Sequence, residues 1–183
     1  MKLTYKIRKL KESDALDAIQ LYARSCRYLE YFQNYFGEKD CENSIIASFS
    51  PDVIAAIRTG VCVGCYNGKE LIGIIFSIDW TKYVEENMTL LDHMFNLDLD
   101  STDELLSYME QYPQAHFIFA IGTKDGYRCQ GIAKAMLKHY LVLVSKKSAV
   151  VTDCIYEYAQ SLWWSNSFVN VELDGMSLAV KTP

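Results

Sequence analysis

Arg128-Cys129-Gln130-Gly131-Ile132-Ala133 is the stretch on which the fold of this 183-residue chain turns. It follows an apolar segment, Ala115 to Thr123, that reads as a strand, and a short loop, Lys124-Asp125-Gly126-Tyr127. Behind it, Ile132, Met136, Leu137, Tyr140, Leu141 and Val144 recur at helical spacing, which predicts a helix over 132–144. The first turn of a helix presents backbone N–H groups without intrahelical partners, at the positive end of the helix dipole. Gly131 and Ala133 are small enough there for a ligand to approach the backbone, and Arg128 and Lys134 add positive charge. Such a turn suits a pyrophosphate. Other phosphate-binding strings are absent: the chain has neither GxxxxGKS/T nor GxGxxG directly after a strand.

Working outward, Thr4 to Leu10 alternates as a strand would, and Ser13-Asp14 reads as a helix N-cap before apolar residues at 15, 16, 19, 22 and 23. Tyr28, Tyr31, Phe32, Tyr35 and Phe36 predict a second helix over 28–36. Ser50-Pro51-Asp52 predicts the start of a third, running to Arg58 and ending at Gly60. Val61–Tyr66 and Leu71–Ile78 flank Asn67-Gly68, a strong hairpin signal. On the other side lie a strand at Ala149–Ile155, a short helix at Tyr158–Ser165 and a hairpin over 168–180 turning at Asp174-Gly175. This order is α/β, in one domain spanning residues 1–183 with no repeats or interdomain linker.

Between the second hairpin strand and Ala115 lies an acidic insertion at 80–114, predicted helical around 84–95 and 102–112. It holds eight acids (Glu85, Glu86, Asp92, Asp98, Asp100, Asp103, Glu104, Glu110) against Lys82. The chain's 18 basic and 23 acidic residues fall to 17 and 15 without it, so a net charge of −5 becomes +2 for the rest. The acidic balance argues against general nucleic-acid binding. No apolar run approaches the roughly 20 residues of a membrane helix. The charged Met1-Lys2-Leu3-Thr4-Tyr5-Lys6 lacks a signal peptide's apolar core, so the cytoplasm is the expected location. Six cysteines, at 26, 41, 62, 65, 129 and 154, are expected as reduced, mostly buried thiols. Cys62 and Cys65 form a CxxC, but residues three apart on a strand face opposite ways, and no second pair completes a metal site.

Arg128-Cys129-Gln130-Gly131-Ile132-Ala133 resembles the R/Q-x-x-G-x-G/A motif of the GNAT superfamily of N-acetyltransferases. Ala120 to Tyr127 precedes it as a strand and loop do in that family, and Ala135-Met136-Leu137 follows in the helix position. The motif resemblance covers about 35 residues, and the order of elements extends it over the chain. It implies a mixed, mostly antiparallel central sheet flanked by helices. It also implies transfer of an acetyl group from acetyl-CoA to a primary amine of a small molecule or protein, with no metal. The backbone of Cys129, Gln130, Gly131, Ile132 and Ala133 would cradle the CoA pyrophosphate, with Arg128 and Lys134 beside it. Thr123 would use its backbone on the pantetheine arm. Neither nucleic acid nor membrane is implied as a partner, and monomer and homodimer both stay open.

The family's usual general acid is a Tyr in N-x-x-A-x-x-x-Y-x-x-x-G-F. Anchored on Ala159 and Phe168, that pattern places Tyr156 at the Asn, Trp163 at the Tyr and Ser167 at the Gly. Indole cannot protonate a thiolate. Three residues are therefore candidates for proton transfer: Tyr158 on the short helix, His116 at the start of the central strand, and Asp153 near the end of the next. Water is a fourth acceptor. The departure at Trp163 also admits a non-catalytic CoA-binding or interaction module. Two features bear on the acceptor: the aromatics at 28–36, which serve as pocket wall or as core, and the acidic insertion, which would draw a cationic amine or polyamine.

Overall fold

The computed structural model describes residues 4–80, 104, 107–112, 114–144, 146–153, 157–173 and 176–183, leaving out the side chains of Tyr31, Asp153, Glu157, Tyr158 and Met176. In chain order the elements are β1 (Lys6–Lys9), α1 (Ala15–Cys26), α2 (Glu30–Phe36), α3 (Cys41–Thr59), β2 (Val63–Asn67), β3 (Glu70–Asp79), β4 (His116–Thr123), α4 (Ile132–Leu143), β5 (Val150–Asp153), α5 (Glu157–Trp164), β6 (Val169–Leu173) and β7 (Met176–Lys181). Most of the acidic insertion lies outside the described residues; residues 107–110 are helical, as expected. The turn at Asp174-Gly175 lies outside them too.

The seven strands form one sheet in the order β1-β2-β3-β4-β5-β7-β6. β4 and β5 run parallel, and every other neighbouring pair is antiparallel. This is the mixed, mostly antiparallel sheet the resemblance implied. Because strand side chains alternate between faces, the sheet divides the core in two. On one face Ile74, Phe76, Ile78, Phe117 and Phe119 pack under α1, α2 and α3. On the other, Val63, Ile72, Ile75 and Ile118 pack under α4 and Trp163. Cys62 belongs to the first core and Cys65 to the second, so the CxxC thiols face opposite ways. Burial pushes Cys62 up to about 12 and Cys65 up to about 11, which keeps both protonated and poor nucleophiles.

Three local expectations need correction. The third helix does not begin at Ser50: α3 starts at Cys41 and carries Pro51 inside it. Proline forfeits one backbone bond and crowds the preceding turn. However, Cys41, Ile45 and Phe49 before it and Val53, Ala56 and Ile57 after it are all buried on one stripe, and that burial outweighs the local cost. Asp14 does hold the N-cap position of α1, at the end of a 3-10 turn (Glu12–Asp14), but its side chain does not cap the helix: the carboxylate instead takes Arg8 at 2.8 and 2.9 Å and the Lys11 N–H. The tight hairpin turn is Gly68-Lys69 rather than Asn67-Gly68, since Asn67 pairs with Glu70 and Gly68 has φ +60°.

Gly60, where α3 ends, has no room for a side chain. A Cβ there would lie 2.1 Å from the Ser77 carbonyl oxygen and 2.9 Å from that of Ala56. Both obstacles are backbone, so neither can rotate away. Gly60→Ala is expected to cost about 3 kcal/mol, a Tm loss of about 6–12 °C by thermal melt. An unchanged Tm would show that α3 does not close onto β3 as described.

Candidate functional site

The site follows from how β4 meets its two neighbours. β3 pairs along all of β4, from His116 to Thr123, with one extra β4 residue, Phe119, at a bulge. β5 pairs only as far as Ile118↔Thr152 and then continues against β7 alone. The β5-facing edge of β4 from Phe119 to Thr123 is thus unpaired among the described residues. The Lys124 N–H donates to the Ile72 carbonyl at 2.9 Å, so alternation along the strand turns the N–H and C=O of Ile121 and Thr123 toward the open edge. An exposed edge of this kind pairs with an extended chain carrying amides.

Beyond Thr123 the chain makes two tight turns before α4. Gly126 (φ +84°), Cys129 (φ +59°) and Gly131 (φ +77°) all take left-handed backbone. Gly131 is the N-cap of α4; no side chain caps the helix, and the first bond of the ladder runs from the Ala135 N–H to the Gly131 carbonyl at 3.0 Å. The N–H groups of Ile132, Ala133 and Lys134 therefore precede the ladder. A Cβ at Gly131 would meet nothing within 4 Å, so the space in front of the helix start is open. The loop is held from both sides. Gln130 Nε2 donates to the Gly126 carbonyl at 3.0 Å, and Arg128 pairs with Asp125 at 3.0 Å. The Tyr127 hydroxyl donates to Glu70 Oε2 and accepts from Asn67 Nδ2, both at 3.1 Å, while Lys124 pairs with Glu70. The β2–β3 hairpin thereby sets the position of the turn.

Edge and helix start open onto one cavity of about 940 Å³. Of the expected ligand-binding residues, Thr123, Arg128, Cys129, Gly131, Ile132, Ala133 and Lys134 line it. Gln130 does not, and is spent on the loop. It is lined as well by α1 (Tyr22, Ser25 and Cys26), the α1–α2 connection (Tyr28 and Leu29) and α2 (Phe32), and by Thr152 and α5 through Ala159, Leu162 and Trp163. The aromatics of 28–36 divide: Phe32 is buried and lines the cavity, Tyr28 is 64% exposed and lines it, and Phe36 packs against the core.

The three proton-transfer candidates fare differently. His116 is not among the cavity-lining residues: it lies opposite Asp79 at the far end of β4, seven residues from Thr123. Burial lowers its pKa against the opposing pull of Asp79, and its Nδ1 has no hydrogen-bond partner. Asp153 ends β5 and Tyr158 sits in the first turn of α5, but both side chains lie outside the described ones. Trp163 borders the cavity at 2% exposure, its ring centroid 5.3 Å from that of Phe168 with the planes tilted by 55°, and its Nε1 buried and unpartnered. Sequence reasoning missed the open edge and the α1 contribution of Tyr22, Ser25 and Cys26. Neither has a local signal, because both depend on where distant elements meet.

Among the described residues no cluster of three or more His, Cys, Asp or Glu could hold a metal ion. No described helix is long and apolar enough to cross a membrane.

No family model matches the chain, and no curated protein matches it by sequence. Solved structures do. A Drosophila melanogaster polyamine N-acetyltransferase, which forms N-acetylagmatine, is 12% identical with a TM-score of 0.68, over 98% of this chain and 100% of its own. The PaiA N-acetyltransferase of Thermoplasma acidophilum, in complex with coenzyme A, is 15% identical with a TM-score of 0.65, over 98% and 99%. The C-terminal condensation domain of Ebony, in complex with beta-alanyl-dopamine, is 12% identical with a TM-score of 0.65, over 97% of both chains. At such identity the likeness establishes the fold.

Proposed function

From the GNAT fold that this chain shares with those structures, we propose that it is a cytoplasmic acetyl-CoA-dependent N-acetyltransferase, one domain over residues 1–183, acting on a primary amine of a small molecule. One observation carries the reading: an uncapped helix start and an unpaired strand edge open onto the same cavity. A pyrophosphate fits the first and an amide-bearing arm the second, and a single CoA carries both groups. The residues present therefore fit the co-substrate. Ile132, Ala133 and Lys134 would donate backbone N–H groups to the phosphates, with Gly131 leaving the approach clear. Ile121 and Thr123 would pair with the arm. The neighbour in complex with coenzyme A supports the same assignment. The polyamine N-acetyltransferase neighbour, which forms N-acetylagmatine, supports a small acceptor.

Bound acetyl-CoA supplies an acetyl group already activated as a thioester. The chain's part is then to position an amine against it and to exclude bulk water, while open-edge N–H groups of β4 offer hydrogen bonds to the thioester oxygen. None of the described lining side chains is a carboxylate or a histidine; Asp153, Tyr158 and water remain the candidates for the amine proton, and this reading assigns it to water. The Trp163 indole borders the cavity where a phenol acid is usual, and it can only donate a hydrogen bond.

That same Trp163 favours a second reading, a CoA-binding module without transfer. CoASH release from acetyl-CoA across a broad amine panel, with Gly131→Glu as control, separates the two. The enzyme reading expects amine-dependent thiol release that is lost in Gly131→Glu. Stabilisation of the fold by acetyl-CoA with no thiol release from any amine would leave the module; no stabilisation at all would end both readings.

A further inference from the structure

Resting on the acetyl-transfer reading, we propose that the Trp163 indole N–H donates a hydrogen bond to the CoA sulfur and stabilises it as the departing thiolate. Trp163 is 2% exposed, and its Nε1 is buried without a hydrogen-bond partner. A buried donor that gives up water without finding an acceptor is costly, and most are paired. A phenylalanine would pack in this place without that cost. The residue is nonetheless firmly set. Its carbonyl accepts the Asn166 N–H at 2.9 Å and the Phe168 N–H at 3.2 Å, and the Phe168 ring lies against the indole. A donor held in place and left unpaired points to an acceptor that the chain itself does not supply.

The fork between β4 and β5 locates that acceptor. Ile118 on β4, Thr152 on β5 and Ala179 on β7 stand directly opposite one another, so all three side chains share one face of the sheet. Ile118 and Ala179 belong to the core that holds Trp163, which places Thr152 on the indole's side of the sheet. Thr152 is also the last β5 residue to pair with β4, and it lines the cavity as Trp163 does. The indole and the fork therefore border one cavity from the same face. An arm that enters at Thr123 and pairs along the open edge runs back to Phe119, about 13 Å at strand rise. Its sulfur is carried toward the fork, while the amides before it stay on the edge.

The chemistry of the sulfur gives the N–H its use. The amine nitrogen bonds to the thioester carbonyl carbon, the C–S bond breaks, and its electron pair leaves on sulfur while water takes the amine proton. A thiol titrates at about 8.5, so the sulfur can depart as thiolate without a proton donor. A thioester sulfur is a weak acceptor, whereas a thiolate takes a charge-assisted hydrogen bond. The indole N–H therefore holds the departing sulfur more tightly than the bound thioester, which raises kcat and leaves affinity alone.

The test uses the whole protein with isotope-labelled tryptophan indoles, observed by nuclear magnetic resonance. Trp80→Phe and Trp164→Phe assign the Trp163 N–H resonance by elimination. At pH 9, where the thiol is mostly ionised, that resonance is expected to lie further downfield with CoASH than with desulfo-CoA, which lacks the sulfur. Equal positions with both ligands bound overturn the proposal while leaving CoA binding standing. Turnover is measured with the fastest amine of the panel used for CoASH release. Trp163→Phe is expected to lower kcat at least about tenfold, from one lost hydrogen bond to a charged group, with KM for acetyl-CoA within about twofold of the parent. An unchanged kcat in the folded variant overturns the proposal and spares acetyl transfer. If Trp163→Phe does not fold, the resonance of the parent protein decides. Thiol release with no amine at all overturns the proposal and acetyl transfer together.

Discussion

Gly131→Glu will reduce acetyl-CoA affinity by at least about 100-fold while the protein stays folded. Gly131 adopts φ +77°, so any side chain there incurs the left-handed strain of about 1 kcal/mol. The space in front is open, so no clash with the chain follows. A carboxylate at a helix start is moreover favoured by the dipole. The expected stability loss is therefore about 1 kcal/mol, or about 2–4 °C in Tm. Binding suffers far more, because the carboxylate occupies the phosphate position and repels what would replace it. Losing two charge-assisted hydrogen bonds at about 1.5–3 kcal/mol each gives about 3–6 kcal/mol, and 100-fold corresponds to about 2.7 kcal/mol. Gly131→Ala separates the causes: it carries the strain without the charge and should bind within about tenfold of the parent. Calorimetric titration of the three proteins measures both. Equal affinity in Gly131→Glu would place the phosphates elsewhere.

Raising the pH from 7 to 9 will increase kcat/KM about 100-fold with no plateau between. A primary amine titrates near 10.4, so its neutral, reactive fraction grows about tenfold per unit below that value. The described cavity lining holds no carboxylate or histidine whose own titration could level the curve. His116 is the residue to exclude. Burial holds its pKa below the usual value, so as the essential base it would be deprotonated, and the base-limited rise complete, before pH 7. His116→Gln is accordingly expected to leave the slope unchanged, consistent with the position of His116 away from the cavity lining. A plateau near neutral pH, abolished in His116→Gln, would restore it as the base.

What could be read from the chain was what is local. The strand–loop–helix around Arg128–Ala133 is legible because its apolar periodicity, its small residues and its charges all lie within one segment. Asn67-Gly68 announces a hairpin, and only the centre of the turn differs, since Gly68 alone supplies the left-handed backbone. Pro51 misled for the converse reason. Its local preference is for a helix start, whereas a stripe of buried side chains on both sides of it decides otherwise. The site itself was half legible. The helix start appears in the sequence, but the open edge arises because β5 leaves β4 after Thr152, and the far wall because α1 crosses near Gly122, whose Cβ would meet Ser25 Oγ at 3.3 Å. Nothing in the residues of β4 states that its partner departs. Trp163 shows the opposite limit: the sequence marked it as a departure, and the structure shows a buried indole whose N–H has no partner.

The claim on which the rest depends is that the Gly131 turn and the open edge of β4 together hold one CoA. Titration of the unmodified protein with acetyl-CoA, followed by calorimetry and repeated with free pantetheine and with adenosine 3′,5′-bisphosphate, tests it directly. The account predicts one acetyl-CoA per chain, with each fragment binding far more weakly because each engages one half of the site. No heat with acetyl-CoA at millimolar concentration, or a pantetheine affinity equal to that of the whole molecule, would contradict it.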